Sequence, residues 1–380
     1  MNITFLTNIP APYRIDFYNE LESMIRSKNK NLSFSVYFMS LTETGRYWHI
    51  NHDMFKFNYY IDNGFYKEIK KTYHFHFNPN LIFRIIKSRD TIILGGSWND
   101  FNVVLLCLLK RIKLLKNKLH IWSEANYMSI GASHDNFFKK IFRRFIFNTI
   151  DGCFLIPGKI AEMTFDLWNV RNKKFIFLPN LINSPYYIIS EEEEKRRYNF
   201  NLPKMLIVAS LCESIKGIYN FIKSIGIVNL KKIELRIAGE GPDKDIIQKY
   251  IYENNLESNI ILLGHLIQEE ILKEYKETNV FILPSFTDQN PLSIIEAIHM
   301  KLPILISERC GNRYETLSEG DNGFKFDPYK PDSISDAFNK LLLSKKRWQQ
   351  MGEKSLELAN TNFNLQNKLL LFLEQIENYS

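Results

Sequence analysis

The sequence predicts an α/β protein built from two doubly wound domains in tandem. Its 380 residues exceed what one hydrophobic core usually organises. Short runs of β-branched and aromatic residues alternate with amphipathic stretches, the pattern of parallel sheets covered by helices. That alternation breaks off near residue 183 and restarts at residue 204.

In the first half, strands are expected at residues 3–7, 33–38, 91–95, 119–122, 152–156 and 175–178. The helix after the first strand turns Phe17, Leu21 and Met24 inward at i, i+4 and i+7. In the second half, strands are expected at residues 204–209, 233–238, 259–263, 280–284 and 303–307, and a helix from Gly217 buries Ile218, Phe221, Ile222 and Ile225. The domains are therefore residues 1–185 and 204–358, with 186–203 as linker. Residues 359–380 form a helix expected to pack back on the first domain. The run Glu191–Arg197, four acids followed by three bases, reads as a short solvated helix. Two such domains face each other across a cleft at their strand C-termini, where ligands of these sheets bind.

Composition narrows the function. Apolar residues make up 45% of the chain, enough for true cores. Cys107, Cys153, Cys212 and Cys310 are too far apart for a zinc or redox pair, and a reduced cytoplasmic setting is expected. The chain enters a strand pattern at once, without a basic segment and long apolar stretch, so no signal peptide is expected. Residues 1–190 hold 25 basic and 14 acidic residues, a net +11, whereas the remainder nets −4. A basic first half suits an anionic partner such as acidic lipid or a phosphate-linked substrate. No nucleic-acid-binding pattern accompanies it.

The informative stretch runs from Val280 to Ser307 and reads strand, loop, helix, strand. Pro291 is expected as the first helical residue with Asn290 as N-cap. The amides of Leu292 and Ser293 then receive a phosphate at the positive end of the helix dipole. Glu296, roughly 7–8 Å further along the axis, is placed for a ribose diol. Asp288 precedes the helix and is placed for the sugar. A capping acid and a surface glutamate are the plainer reading of that pair. Upstream, Lys216 stands between a strand and a helix, where an ammonium serves a diphosphate leaving group or merely faces solvent. The turn Gly239-Glu240-Gly241-Pro242 lets backbone approach a ligand or simply closes a turn.

In this order, Lys216-Gly217, Gly239-x-Gly241-Pro242, Gly264-His265, Pro284-Ser285, Asp288 and Glu296-Ala297 resemble retaining glycosyltransferases of family 4, of bacterial surface-polysaccharide type. The resemblance implies the GT-B fold, two Rossmann-like domains, and a nucleotide sugar as co-substrate. It implies that Asp288 meets the sugar hydroxyls, Glu296 holds the ribose and Lys216 neutralises the diphosphate. Ser210, Gly239, Gly241, Gly264, His265, Asn290, Pro291, Leu292 and Ser293 would complete the donor site. Ser210 stands where the family usually has arginine, and Asp288 where it has glutamate. Arg309 or Arg313 is a candidate replacement for the missing cation.

In the first half, Pro10-Ala-Pro-Tyr-Arg14 also resembles the family's turn after the first strand. Tyr13 and Arg14 are expected in the cleft, with a salt bridge as the alternative for Arg14. Gly96 and Trp98 are expected on the acceptor side, with stacking on a sugar or plain packing both open for Trp98. Glu124 occupies the place of a family histidine, where a carboxylate orients a hydroxyl or takes the acceptor proton. The helix at residues 137–148 alternates apolar and basic residues and suits either anionic lipid or its own sheet. His74-Phe-His76 and Asp243-Lys-Asp245 imitate metal patterns but lack further ligands, so no metal or other cofactor is expected.

The sequence thus points to sugar transfer from a UDP- or GDP-sugar to a glycan or lipid-linked acceptor, in lipopolysaccharide, O-antigen or capsule assembly. The enzyme would be cytoplasmic and peripheral on the inner face of the membrane. A nucleotide-sugar epimerase of the same plan and a degenerate nucleotide-sugar-binding partner are the competing readings.

Overall fold

A computed structural model describes residues 1–28, 31–44, 50–70, 73–129, 136–171 and 173–379. The chain divides into two compact units. The first holds Met1–Tyr127, His134–Asn180 and Leu365–Ser380; the second holds Met128–Ser133 and Leu181–Asn364.

In the first unit, β1 (Asn2–Thr7), α1 (Pro12–Ser27), β2 (Ser33–Phe38) and β3 (Tyr59–Ile61) come first. A hairpin of β4 (Phe65–Lys70) and β5 (Tyr73–Phe77) follows, antiparallel and outside the main sheet. Then come α2 (Pro79–Lys87), β6 (Thr91–Leu94), α3 (Phe101–Arg111), β7 (Leu119–Trp122), α4 (Phe137–Phe147), β8 (Phe154–Ile156), α5 (Lys159–Leu167) and β9 (Phe175–Phe177). The sheet order is β3-β2-β1-β6-β7-β8-β9, all parallel. Winding reverses between β1 and β6. The expected inward residues Phe17, Leu21 and Met24 are buried.

The second unit opens with α6 (Glu191–Arg197), β10 (Lys204–Val208), α7 (Glu213–Lys216), α8 (Ile218–Leu230), β11 (Glu234–Ala238), α9 (Lys244–Glu253) and β12 (Ile260–Gly264). It continues through α10 (Gln268–Glu277), β13 (Val280–Leu283), α11 (Leu292–His299), β14 (Ile304–Ser307), α12 (Arg313–Thr316), β15 (Gly323–Phe326), α13 (Pro331–Leu343) and α14 (Trp348–Asn362). The parallel order is β12-β11-β10-β13-β14-β15, reversing between β10 and β13. Ile207, Phe221, Ile237 and Ile282 are fully buried members of one core under this sheet. The last helix, α15 (Leu365–Tyr379), belongs to the first unit, where Phe372 lies 6.3 Å from Phe5.

Segment α6 is less solvated than its charges suggest. Ser190 and Glu193 form a capping box at its start, but Glu194 and Arg197 are buried. Arg197 donates to the carbonyls of Tyr275 (2.9 Å) and Met300 (2.8 Å), near the negative ends of α10 and α11. Glu194 accepts from Lys301 at 2.9 Å. A charge run can be buried where each charge meets a partner of opposite sign.

The turn after β11 shows what its glycines are for. Gly239 has φ +144°, and a Cβ there would meet the Ala209 carbonyl oxygen at 1.9 Å. A Cβ at Gly241 would meet the Leu211 oxygen at 2.4 Å. Both glycines let the turn close onto the loop after β10. Gly239→Ala is expected to destabilise the protein by about 2–3 kcal/mol. Equilibrium denaturation measures this, and an unchanged midpoint would contradict the packing described.

Candidate functional site

The reversal between β10 and β13 leaves two loops diverging at one sheet edge, the position where doubly wound sheets bind ligands. The backbone ties these loops together. The amide of Thr287 donates to the Ile215 carbonyl at 3.2 Å. Gly217, at φ +60°, lies so close to Pro284 that a Cβ would meet its oxygen at 2.8 Å. Across this contact the Lys216 ammonium hydrogen-bonds and ion-pairs with Asp288 Oδ2, both groups being mostly shielded from solvent. The third loop, after β14, joins them where the Gly311 amide donates to the Asp288 carbonyl at 2.8 Å. Six residues beyond Ser210, then, a lysine reaches an acid from another strand.

Helix α11 begins at Leu292, one residue later than the sequence suggests. Pro291 is extended (φ −64°, ψ +120°) and occupies the cap position itself, displacing Asn290 from it. The Pro291 carbonyl accepts from Asn312 Nδ2 at 3.0 Å, which fixes that bend. Among the described residues no side chain caps α11, and its first turn contains no acid. The neighbouring α8 differs. There the Glu213 carboxylate accepts from the amides of Tyr219 (2.7 Å) and Asn220 (2.9 Å). Of the two helix starts flanking the reversal, α8 already holds an anion of the protein's own, and α11 offers its amides.

Glu296 lies four residues into α11 and is half-buried. Tyr187 donates to its Oε1 at 2.8 Å and Tyr275 to its Oε2 at 2.9 Å. Burial raises the Glu296 pKa, and the two tyrosine hydrogen bonds oppose that rise. Each oxygen keeps acceptor capacity, so the carboxylate is aimed and can accept from two neighbouring hydroxyls. Neither tyrosine was marked by the sequence reading. Tyr275 is the one aromatic on its helix, fully buried, and its hydroxyl also donates to the Ser293 carbonyl at 3.1 Å.

The remaining donor-side expectations fall at the same sheet edge. Ser210 is exposed in the loop after β10. Gly264 (φ +72°) ends the edge strand β12, two strands from β10, and His265 follows it. The Gly239 and Gly241 turn faces backbone, as described above. Arg309 Nε donates to the Phe286 carbonyl at 3.4 Å, so this cation borders the loop holding Asp288. Arg313 donates to the Glu308 carbonyl and lies over the Tyr314 ring. Asp243 accepts from the Glu213 amide at 2.7 Å, a loop staple.

In the first unit, the Arg14 guanidinium lies 3.7 Å over the Trp122 ring and 3.5 Å from Glu124 Oε1, beside Tyr13. Arg14 thus makes the salt bridge that was its alternative reading. Gly96 is exposed at φ +84°. Trp98 packs 6.1 Å from both Phe142 and Phe147, the packing alternative. His120 is buried in β7, accepts from the Cys153 amide at 2.9 Å, and is pushed by burial to a pKa of about 4. His76 faces Glu43 at 3.5 Å and Asp100 at 3.7 Å, and His74 lies 2.9 Å from the Tyr66 hydroxyl. No group of three or more His, Cys, Asp or Glu among the described residues is arranged to hold a metal ion.

Comparison with known proteins adds the family context. Residues 190–357 match the family described as glycosyl transferases group 1. "Uncharacterized glycosyltransferase MJ1607" of Methanocaldococcus jannaschii is 24% identical over 204 residues, 51% of this chain and 52% of that protein. MJ1059 of the same organism, described in the same words, is 26% identical over 314 residues, 77% and 72% of the two chains. The chain thus spans about half of the first relative. Among solved structures, sucrose-phosphate synthase of Thermosynechococcus elongatus superposes with TM-score 0.75 at 14% identity, covering 100% of this chain and 99% of that one. HepE of Anabaena in complex with UDP superposes with TM-score 0.73 at 14% identity, covering all of both chains. The fold is GT-B, and the group 1 glycosyl transferase match covers the second unit's residues 190–357.

Tyrosine support of Glu296 has a measurable signature. Carbon-13 NMR should place its carboxyl titration above the ordinary glutamate range of about 4.3. Tyr275→Phe removes one bond to the charged form, so the midpoint should rise further. A midpoint that falls or stays fixed would refute the arrangement.

Proposed function

We propose that this protein transfers a hexose-type sugar from a UDP- or GDP-sugar to a glycan or lipid-linked acceptor, with retention at the anomeric carbon. The observation that carries this reading is the uncapped start of α11 after the loop whose Asp288 pairs with Lys216, with Glu296 of the same helix held by Tyr187 and Tyr275. A diphosphate sits against the amides of Leu292 and Ser293. The Lys216 ammonium exchanges Asp288 for the more highly charged diphosphate, and Asp288 then accepts from a sugar hydroxyl. Glu296 accepts from the ribose diol. The leaving diphosphate gains its charge during bond cleavage, so fixed positive groups here stabilise the transition state more than the ground state.

Lysine and helix dipole together supply the charge that a metal would otherwise bring, and the transfer is proposed to run without one. Arg309, on the neighbouring loop, is the cation that stands in for the one missing at Ser210. Arg14 and Glu124 are proposed to orient the acceptor. Retention and a place in lipopolysaccharide, O-antigen or capsule assembly rest on the likeness of the motifs from Lys216 to Ala297 to that bacterial group. Among the described residues no helix is long and apolar enough to cross a membrane. Work at the inner face of the cytoplasmic membrane, as a peripheral enzyme, belongs to the same proposal.

Lys216→Ala and Glu296→Ala should each lower turnover at least about a hundredfold, on the order of 2–4 kcal/mol in barrier, with the circular dichroism spectrum retained. Release of nucleoside diphosphate from a panel of UDP- and GDP-sugars, with membrane lipid extract as acceptor source, measures this. Near-normal turnover in either variant would remove the site assignment. A product of unchanged mass would indicate an epimerase, and binding without turnover a degenerate partner. Chelation by EDTA should leave the rate unchanged; a rate restored only by added divalent cation would contradict metal-independent transfer.

A further inference from the structure

Helix α4 turns outward the face that an ordinary domain helix would bury. Phe137 is 71% exposed and Phe138 79%, with Ile141 and Phe142 exposed behind them. Its cation Arg143 instead points inward, buried with its guanidinium 3.9 Å over the Trp168 ring. Ile146 and Phe147, at the far end, join the core, with Phe145 packed against it.

The neighbouring helix continues the surface. Arg111, at the end of α3, donates to Thr149 Oγ1 at 2.8 Å and to the Asn148 carbonyl at 3.1 Å, which sets the two helix ends side by side. Around that end Leu108, Ile112 and Leu114 are exposed. Exposed cations lie between these apolar groups: Arg111, Lys113 and Lys116 on one segment, Lys140 and Arg144 on the other. Neither residues 101–118 nor residues 136–149 contain an aspartate or glutamate.

We infer that this joint face of α3 and α4 docks on an anionic lipid bilayer. Large rings enter the boundary between headgroups and acyl chains, and the cations meet lipid phosphates. Exposed apolar area of this extent marks an interaction surface. The cations spread through it, with no carboxylate in either segment, match the uniform negative charge of such a membrane. The face lies beside the turn containing Trp98, which packs on Phe142. A lipid-linked acceptor, lying in the same membrane, is thereby brought to the turn expected to meet it.

Sedimentation of the full chain with vesicles tests this directly. Binding is expected to vesicles of phosphatidylcholine mixed with phosphatidylglycerol, weakening as salt rises, and not to phosphatidylcholine alone. Phe137→Ser with Phe138→Ser should weaken binding on the order of tenfold or more for each ring. Lys140→Gln with Arg144→Gln should weaken it about fivefold per charge. All four side chains are exposed, so the thermal melt of each variant should match that of the parent. Binding to neither vesicle, or binding unaltered in both variants with unaltered melts, would overturn the inference. Self-association in the absence of lipid that the Phe variant abolishes would overturn it too, by assigning the face to a second copy.

Discussion

The ion pair between Lys216 and Asp288 joins two loops that leave adjacent strands and then diverge. Everything proposed for the donor depends on that junction. The reversal of winding between β10 and β13 creates a gap at the sheet edge. The Thr287–Ile215 hydrogen bond and the close approach at Gly217 hold its sides at fixed separation. A cation and an anion thus stand together beside a helix start that lacks a side-chain cap among the described residues. Such a site is poised to exchange one anionic partner for another, which a lone surface lysine is not.

Glu296 lies on the same helix, further from the charged end. Taking a carboxylate partly out of water costs free energy unless donors meet it, and Tyr187 and Tyr275 are those donors. Arg197 stabilises the arrangement from below, by bonding carbonyls near the ends of both α10 and α11. The short charged segment between the two sequence halves is therefore part of the second unit's architecture. It holds together the helices that carry Tyr275 and Glu296.

Much of the fold was legible in the sequence because parallel strands buried on both faces read as continuous apolar runs. The segments at residues 33–38 and 119–122 coincide with β2 and β7. Expected strands that ran into Pro284 or began at Pro303 are shorter by that residue, since proline donates no ladder bond. Strand β3 and the β4–β5 hairpin were missed, as was β15. In β3 and β15, three or four residues at a sheet edge give too short a pattern, and Gly323-Phe-Lys-Phe326 reads equally as a loop. The candidate site was legible as spacing along one chain: Lys216 and Asp288 lie in the segments after β10 and β13, and Glu296 lies in the helix after β13. The tyrosines on Glu296 were not, because Tyr187 and Tyr275 lie 109 and 21 residues away from it. Contacts of that kind exist only after folding. The direction of α4's apolar face was left open for a related reason: periodicity shows that a helix has an apolar side but not where that side points.

The account stands most directly on where a diphosphate lies. A crystal structure of the protein with a bound nucleoside diphosphate measures it. Phosphate oxygens within about 3 Å of the Leu292 and Ser293 amides and of Lys216 Nζ are the expected result. A diphosphate bound at the start of α8 in place of the Glu213 carboxylate, or away from the reversal between β10 and β13, would contradict it.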